Sequence, residues 1–144
     1  MPRSRLMAVL LLVGGCATGP AIAPRPEALE GCWIERLGRD EARTMRWFAD
    51  GASWSGEASV FRNGAGRSLD LRLERSADGW RICAEAYGTT IQNSCAAAYF
   101  GPAPAALGDA WSEITVSAER LKMVARGPKA APRVIIDAVR DGCD

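Results

Sequence analysis

The sequence predicts an all-β fold, a small antiparallel up-and-down β-barrel of eight or nine strands, with a β-sandwich as the alternative. Three observations carry this. Apolar residues recur with period two far more often than with the 3.6-residue period of a helix. The alternating runs are short and separated by Gly, Asn, Asp and Pro clusters. No stretch offers a long amphipathic helix a place.

The cleanest strand is Ser68 to Glu74, in which Leu69, Leu71 and Leu73 share one face and Asp70, Arg72 and Glu74 the other. Ahead of it, similar runs occur at Cys32 to Leu37, Arg43 to Phe48 and Trp54 to Phe61. After it they occur at Trp80 to Tyr87, Ile91 to Tyr99, Glu113 to Ala118, Leu121 to Arg126 and Arg133 to Arg140. Turn signals punctuate them: Gly38-Arg39-Asp40, Asp50-Gly51, Asn63 to Gly66, Ala77-Asp78-Gly79, Gly88-Thr89-Thr90 and the Pro128/Pro132 segment from Gly127. The proline-rich piece from Pro102 to Ala110 has room for one helical turn. Short strands at this spacing close most economically into a barrel.

The first residues follow a different logic. Arg3 and Arg5 precede an unbroken apolar run, Leu6 to Val13. That run is less than half the roughly 18 residues needed to span a bilayer, so it reads as an export signal. Val13-Gly14-Gly15-Cys16 resembles the lipobox of bacterial lipoproteins, in which the signal peptidase cuts ahead of the cysteine and its thiol and amine are acylated. The resemblance implies residues 1–15 as leader, an acylated Cys16 (diacylglycerol on sulfur, a palmitate-type chain on nitrogen), and a protein anchored by lipid in the bacterial cell envelope. Ala17 after the cysteine implies, by the same analogy, the outer membrane. Residues 16–29, with Pro20, Pro24 and Pro26 and no periodicity, read as a tether, and 30–144 as the barrel domain. With Arg3 and Arg5 lost alongside the leader, sixteen basic residues face seventeen acidic ones, and net charge moves from +1 to −1. No basic field remains to recruit nucleic acid.

Cys32, Cys83, Cys95 and Cys143 remain, an even set that suits two disulfides in an exported chain and allows three connectivities. A hairpin turn centred on Thr89 sets Cys83 directly opposite Cys95, close enough to bridge. Cys32 and Cys143 then pair by elimination, at the start of the first strand and just past the last, which are neighbours in a closed barrel. With no histidine and no Cys-x-x-Cys spacing, the four do not read as a metal site.

Gly31-Cys32-Trp33 resembles the glycine-x-tryptophan start of the first strand in the lipocalin and wider calycin families. The resemblance implies a lipocalin-like barrel with one end plugged by Trp33. It also implies a basic residue of the last strand, Arg140 or secondarily Arg133, packed across the indole.

The chain lacks histidine, the commonest general base, nucleophile activator and transition-metal ligand, so no catalytic set, metal or cofactor is assigned and no enzyme is expected. Asp70, Glu74 and Glu85 lie on the polar parity of their strands. Glu35 shares parity with Trp33, and pairing with an arginine is the simplest role for it. The inward parity suggests a pocket instead: Trp54, Gly56 and Ala58 on one strand, Trp80 and Ala84 on another, so bulky residues give way to small ones. With Trp33 and Arg140 these form the candidate site for a small apolar ligand. Alternatives are an inhibitor of an envelope protease or lysozyme, for which Ser76 to Trp80 is similar to an inhibitor loop, and a structural lipoprotein with a filled interior. The lipid anchor is tested by intact mass and detergent partitioning of the membrane fraction: a diacylated, N-acylated Cys16 N-terminus is expected, and a soluble product with a free Cys16 thiol excludes it.

Overall fold

A computed structural model describes residues 26–86, 94–104 and 109–143. The leader, Cys16, the Gly88-Thr89-Thr90 turn, the expected strand start at Ile91 and part of the Pro102 to Ala110 segment lie outside these residues. A 3-10 turn, Pro26–Leu29, leads into nine strands: β1 Gly31–Arg36, β2 Glu41–Asp50, β3 Ser53–Arg62, β4 Ala65–Ser76, β5 Gly79–Ala86, β6 Ser94–Tyr99, β7 Trp111–Val116, β8 Arg120–Arg126 and β9 Arg133–Asp141. They close in sequence order into one barrel, with β9 back on β1.

Every neighbouring pair is antiparallel except β6 and β7, which run parallel through Ala97↔Trp111, Ala98↔Ser112 and Tyr99↔Glu113. The strictly up-and-down antiparallel expectation is therefore corrected to a mixed barrel. The reason is parity: strands that alternate direction around a closed ring must be even in number, and nine leave one seam where two neighbours point the same way. A parallel neighbour cannot be reached by a hairpin, which is why a longer connection, beginning at Phe100, separates β6 from β7.

The β3–β4 hairpin is tight. Arg62 pairs with Ala65 across Asn63 and Gly64, whose φ values of 50° and 77° are those a two-residue type I′ turn requires. The turn is thus shorter than the four residues its composition suggested. Cys83 stands opposite Cys95 in the β5–β6 register and the two are bonded, with Cα atoms 4.0 Å apart; Cys32 and Cys143 form the second disulfide, at 5.3 Å. In the loop-entropy picture these contribute about 3 and about 5 kcal/mol respectively, as upper figures.

Strand direction defines two ends. β1, β3, β5 and β8 run toward one, where the β1–β2, β3–β4 and β8–β9 connections lie; the 3-10 turn and the opposite connections cover the other. At this covered end Trp33 is 1% exposed, donates its indole N–H to Leu29 O at 2.8 Å, and carries the Arg140 guanidinium 4.2 Å above its ring. Such a stack is worth about 0.5–2 kcal/mol. Arg140 also donates to Ala118 O at 2.6 Å, Glu30 O at 2.7 Å and Ala28 O at 3.1 Å, joining the 3-10 turn to the β7–β8 turn. Arg133 lies at the opposite end of β9. Residues 26–29, read from sequence as the end of a tether, are therefore part of the barrel: Pro26 and Leu29 are buried.

Gly31 makes the clamp possible. Its φ is +123°, and a Cβ there would stand 2.5 Å from Arg140 Nη1. Gly31→Ala is expected to destabilise by roughly 2–3 kcal/mol in denaturant titration. Gly51→Ala, at φ +63° with open space around it, should cost only about 1 kcal/mol.

Candidate functional site: an apolar cavity at the open end

The barrel interior divides by side-chain volume. Trp47 (1% exposed) lies over Gly56, where an added Cβ would come within 2.8 Å of the indole. Gly56 is therefore small because a tryptophan fills the space beside it, not because a ligand does. Trp54 and Trp80 meet edge to face at 5.7 Å, Phe100 packs against Trp80 at 6.2 Å, and Arg75 covers Trp80 at 4.4 Å. Leu73, Val116 and Leu121 complete this closed half. The indole N–H groups of Trp47 and Trp54 are buried there without a hydrogen-bond partner among the described residues, which marks a core chosen for volume rather than polar pairing.

Toward the other end the inward positions become small. Ala58, Ala84, Ala96 and Ala125 come from β3, β5, β6 and β8, and with Leu69, Leu71 and Ser112 they wall a cavity of about 490 Å³. Met45, Ile82 and Met123 also line it, and Met45 pairs in register with Trp33, so the floor rests on the plugged half. Its mouth is bordered by Arg126, Gly127, Ala130, Ala131 and Arg133. Burial follows the same gradient: Leu73, low in β4, is 0% exposed, whereas Leu71 and Leu69, two and four positions nearer the mouth on the same face, are only half-buried. The volume falls within the roughly 300–1,000 Å³ of small-molecule sites.

Of the residues singled out from sequence, Ala58 and Ala84 line the cavity. Trp33, Trp54, Gly56, Trp80 and Arg140 do not; they build and clamp the closed half. Trp54 and Trp80 therefore stand apart from any ligand in the cavity, and the small residues paired with them by parity belong to two different heights. Sequence reading missed Met45, Leu69, Ala96, Met123 and Ala125 as lining. The β4 alternation already carried the inward signal for Leu69, but its height needed the register.

The mouth is ordered by polar contacts. Arg126 donates its Nε–H to Ala130 O at 2.8 Å, drawing the β8–β9 loop inward, and Ala130 N–H donates to Gly127 O at 3.2 Å. Arg43 reaches Glu35 at 3.3 Å and Ile135 O at 3.3 Å, so Glu35 is an ion-pair partner. Of the other acids noted above, the Glu85 side chain lies outside the described residues, and Asp70 and Glu74 lie on the outer wall. A depression of about 590 Å³ there is bordered by Glu57, Asp70, Arg72, Glu74 and Arg81. Hydrogen bonding from Arg81 holds the Glu74 carboxyl below its ordinary range, with Arg72 adding to the effect. The ion pairs Arg81–Glu74 and Arg72–Asp50 tie part of this wall together, in the manner of a solvated charged face.

Among the described residues no group of three or more His, Cys, Asp or Glu could hold a metal ion, and no helix is long and apolar enough to cross a membrane. The Ser76 to Trp80 segment is a hairpin with only Ala77 and Asp78 between paired residues, at the closed end. No protein family, no curated protein and no solved structure matches this chain.

The cavity predicts a packing contrast. Met123→Ala, beside the cavity, is expected to cost about 2–3 kcal/mol, whereas Leu73→Ala in the closed half should cost about 3–5 kcal/mol; urea unfolding of the two variants measures the difference.

Proposed function

We propose that this chain is a lipid-anchored protein of the bacterial cell envelope whose barrel holds one small apolar or amphipathic molecule in the open half. The observation that carries the reading is the cavity itself: about 490 Å³, walled by alanines from four strands, floored by methionines and set at the end of the barrel away from the Trp33 plug. A barrel with a purely structural role is expected to fill its interior with side chains, as the lower half of this one does. The Val13-Gly14-Gly15-Cys16 motif and the resemblance of Gly31-Cys32-Trp33 to the lipocalin start support the cellular setting and the choice of ligand class. A tight two-residue turn at Ala77-Asp78 offers little for an inhibitor to insert into a target, which favours ligand holding over inhibition.

The test uses the chain from Ala17 onward, since every described strand pair and both disulfides lie between residues 26 and 143. An apolar dye that brightens on burial is titrated in and displaced with fatty acids and lysophospholipids. Saturable binding at one site is expected. Ala84→Trp should fill the cavity and weaken binding at least about tenfold, or about 1.4 kcal/mol. Ala125→Leu should weaken it by less while leaving the circular dichroism unchanged. Absence of saturable binding, or equal affinity in Ala84→Trp and the original chain, would overturn the reading.

A further inference from the structure

The two ends of the barrel differ in charge as well as in volume. Around the closed end the acidic residues Glu27, Glu30, Asp50, Asp78, Glu119 and Asp141 predominate. The cations among them are engaged: Arg75 and Arg140 lie on indole rings, and Arg120 pairs with Asp137 at 2.7 Å. The connections at the open end reverse the sign. Arg36, Arg39, Arg67, Lys129 and Arg133 stand exposed there against one exposed acid, Asp40, while Glu41 is neutralised by Arg62 at 2.7 Å.

Apolar exposure concentrates at the same end. Among the described residues six large hydrophobic side chains are exposed, and four of them, Leu37 (41%), Val60 (42%), Phe61 (45%) and Val134 (46%), stand at or beside the mouth. The connections that carry them form a joined rim. Asn63 N–H donates to Asp40 O at 2.9 Å, linking the first two turns, and Arg43 crosses from β2 to Ile135 O on β9 at 3.3 Å. Exposed hydrophobes set among cations suit an interface in which apolar side chains enter the headgroup boundary and guanidinium and ammonium groups meet phosphates. The opposite end, acidic and capped, would be repelled by the same surface.

The geometry points to the open rim as a docking surface for an anionic phospholipid bilayer, with Leu37 and Phe61 entering the headgroup region and Arg39, Arg67 and Lys129 facing lipid phosphates. The assignment does not depend on the cavity being occupied. In this orientation the mouth faces the membrane and the covered end, from which the chain leads back toward residue 25, faces away.

Vesicle co-sedimentation of the chain from Ala17 onward, which lacks the lipidated cysteine, tests it. Vesicles of phosphatidylcholine containing about one-third phosphatidylglycerol should bind the protein at least about tenfold better than phosphatidylcholine alone, and binding should fall at high salt. The triple variant Arg39→Glu/Arg67→Glu/Lys129→Glu and the double variant Leu37→Ser/Phe61→Ser should each lose most of this binding. Lys122→Glu, a single charge reversal on the β8 wall, should not, and Arg39→Glu alone should lose more binding than it does. Equal binding to neutral vesicles, undiminished binding by either rim variant, or equal loss in Lys122→Glu would overturn the assignment. The rim variants should still bind the apolar dye in solution, so failure of dye binding with intact vesicle binding removes only the cavity reading, and the converse only this one.

Discussion

Arg140 is the point at which the rest of the structure is fixed. One guanidinium caps an indole and donates to three carbonyl oxygens on two separate segments, so the entry of the chain, the first strand and the β7–β8 turn hold their positions together. The demand passes to Gly31, where no side chain fits, and to Trp33, whose N–H secures Leu29. With that end closed, the tryptophans of β2, β3 and β5 have a surface to pack on. A hydrogen-bonded barrel can tolerate small side chains in one half when the other is this well filled.

Much of this organisation was legible as pattern. Period-two alternation located nine strands, because a half-buried sheet imposes a face on every second residue. The spacing of Cys83 and Cys95 about Thr89 defined a register, since an antiparallel hairpin has only one free parameter once its turn is placed; closure then brought Cys32 to Cys143. What alternation does not encode is height along the barrel axis. Gly56 and Ala58 are two residues apart and share a face, yet one is pressed by Trp47 and the other borders open space. Trp54 and Trp80, grouped with the small residues by parity, lie below them for the same reason. Height depends on register and strand tilt summed around the whole ring, a non-local quantity. The parallel seam was hidden for a related reason, because direction at the ninth strand is a property of the closed circuit and of no segment within it.

The molecule thus has an axis with two unlike poles. Large aromatic side chains, acidic turns and engaged arginines sit at one; alanines, exposed cations and exposed apolar side chains sit at the other. Packing and surface chemistry change together because the described β8–β9 connection both borders the cavity and supplies part of the rim. The β8–β9 loop illustrates this: Ala130 and Ala131 border the cavity while Lys129, between them and Pro128, is exposed.

The Cys32–Cys143 bond gives the oxidised chain a property that its linear sequence conceals. It closes a covalent ring around all nine strands, with the smaller Cys83–Cys95 ring nested inside. A protease that cuts the exposed Asn63-Gly64 tip would open the ring without releasing a fragment, leaving a single molecule with new ends. Such a nick would change the order of the strands along the covalent chain, with the disulfide now joining β9 to β1 as the backbone joins the other neighbours.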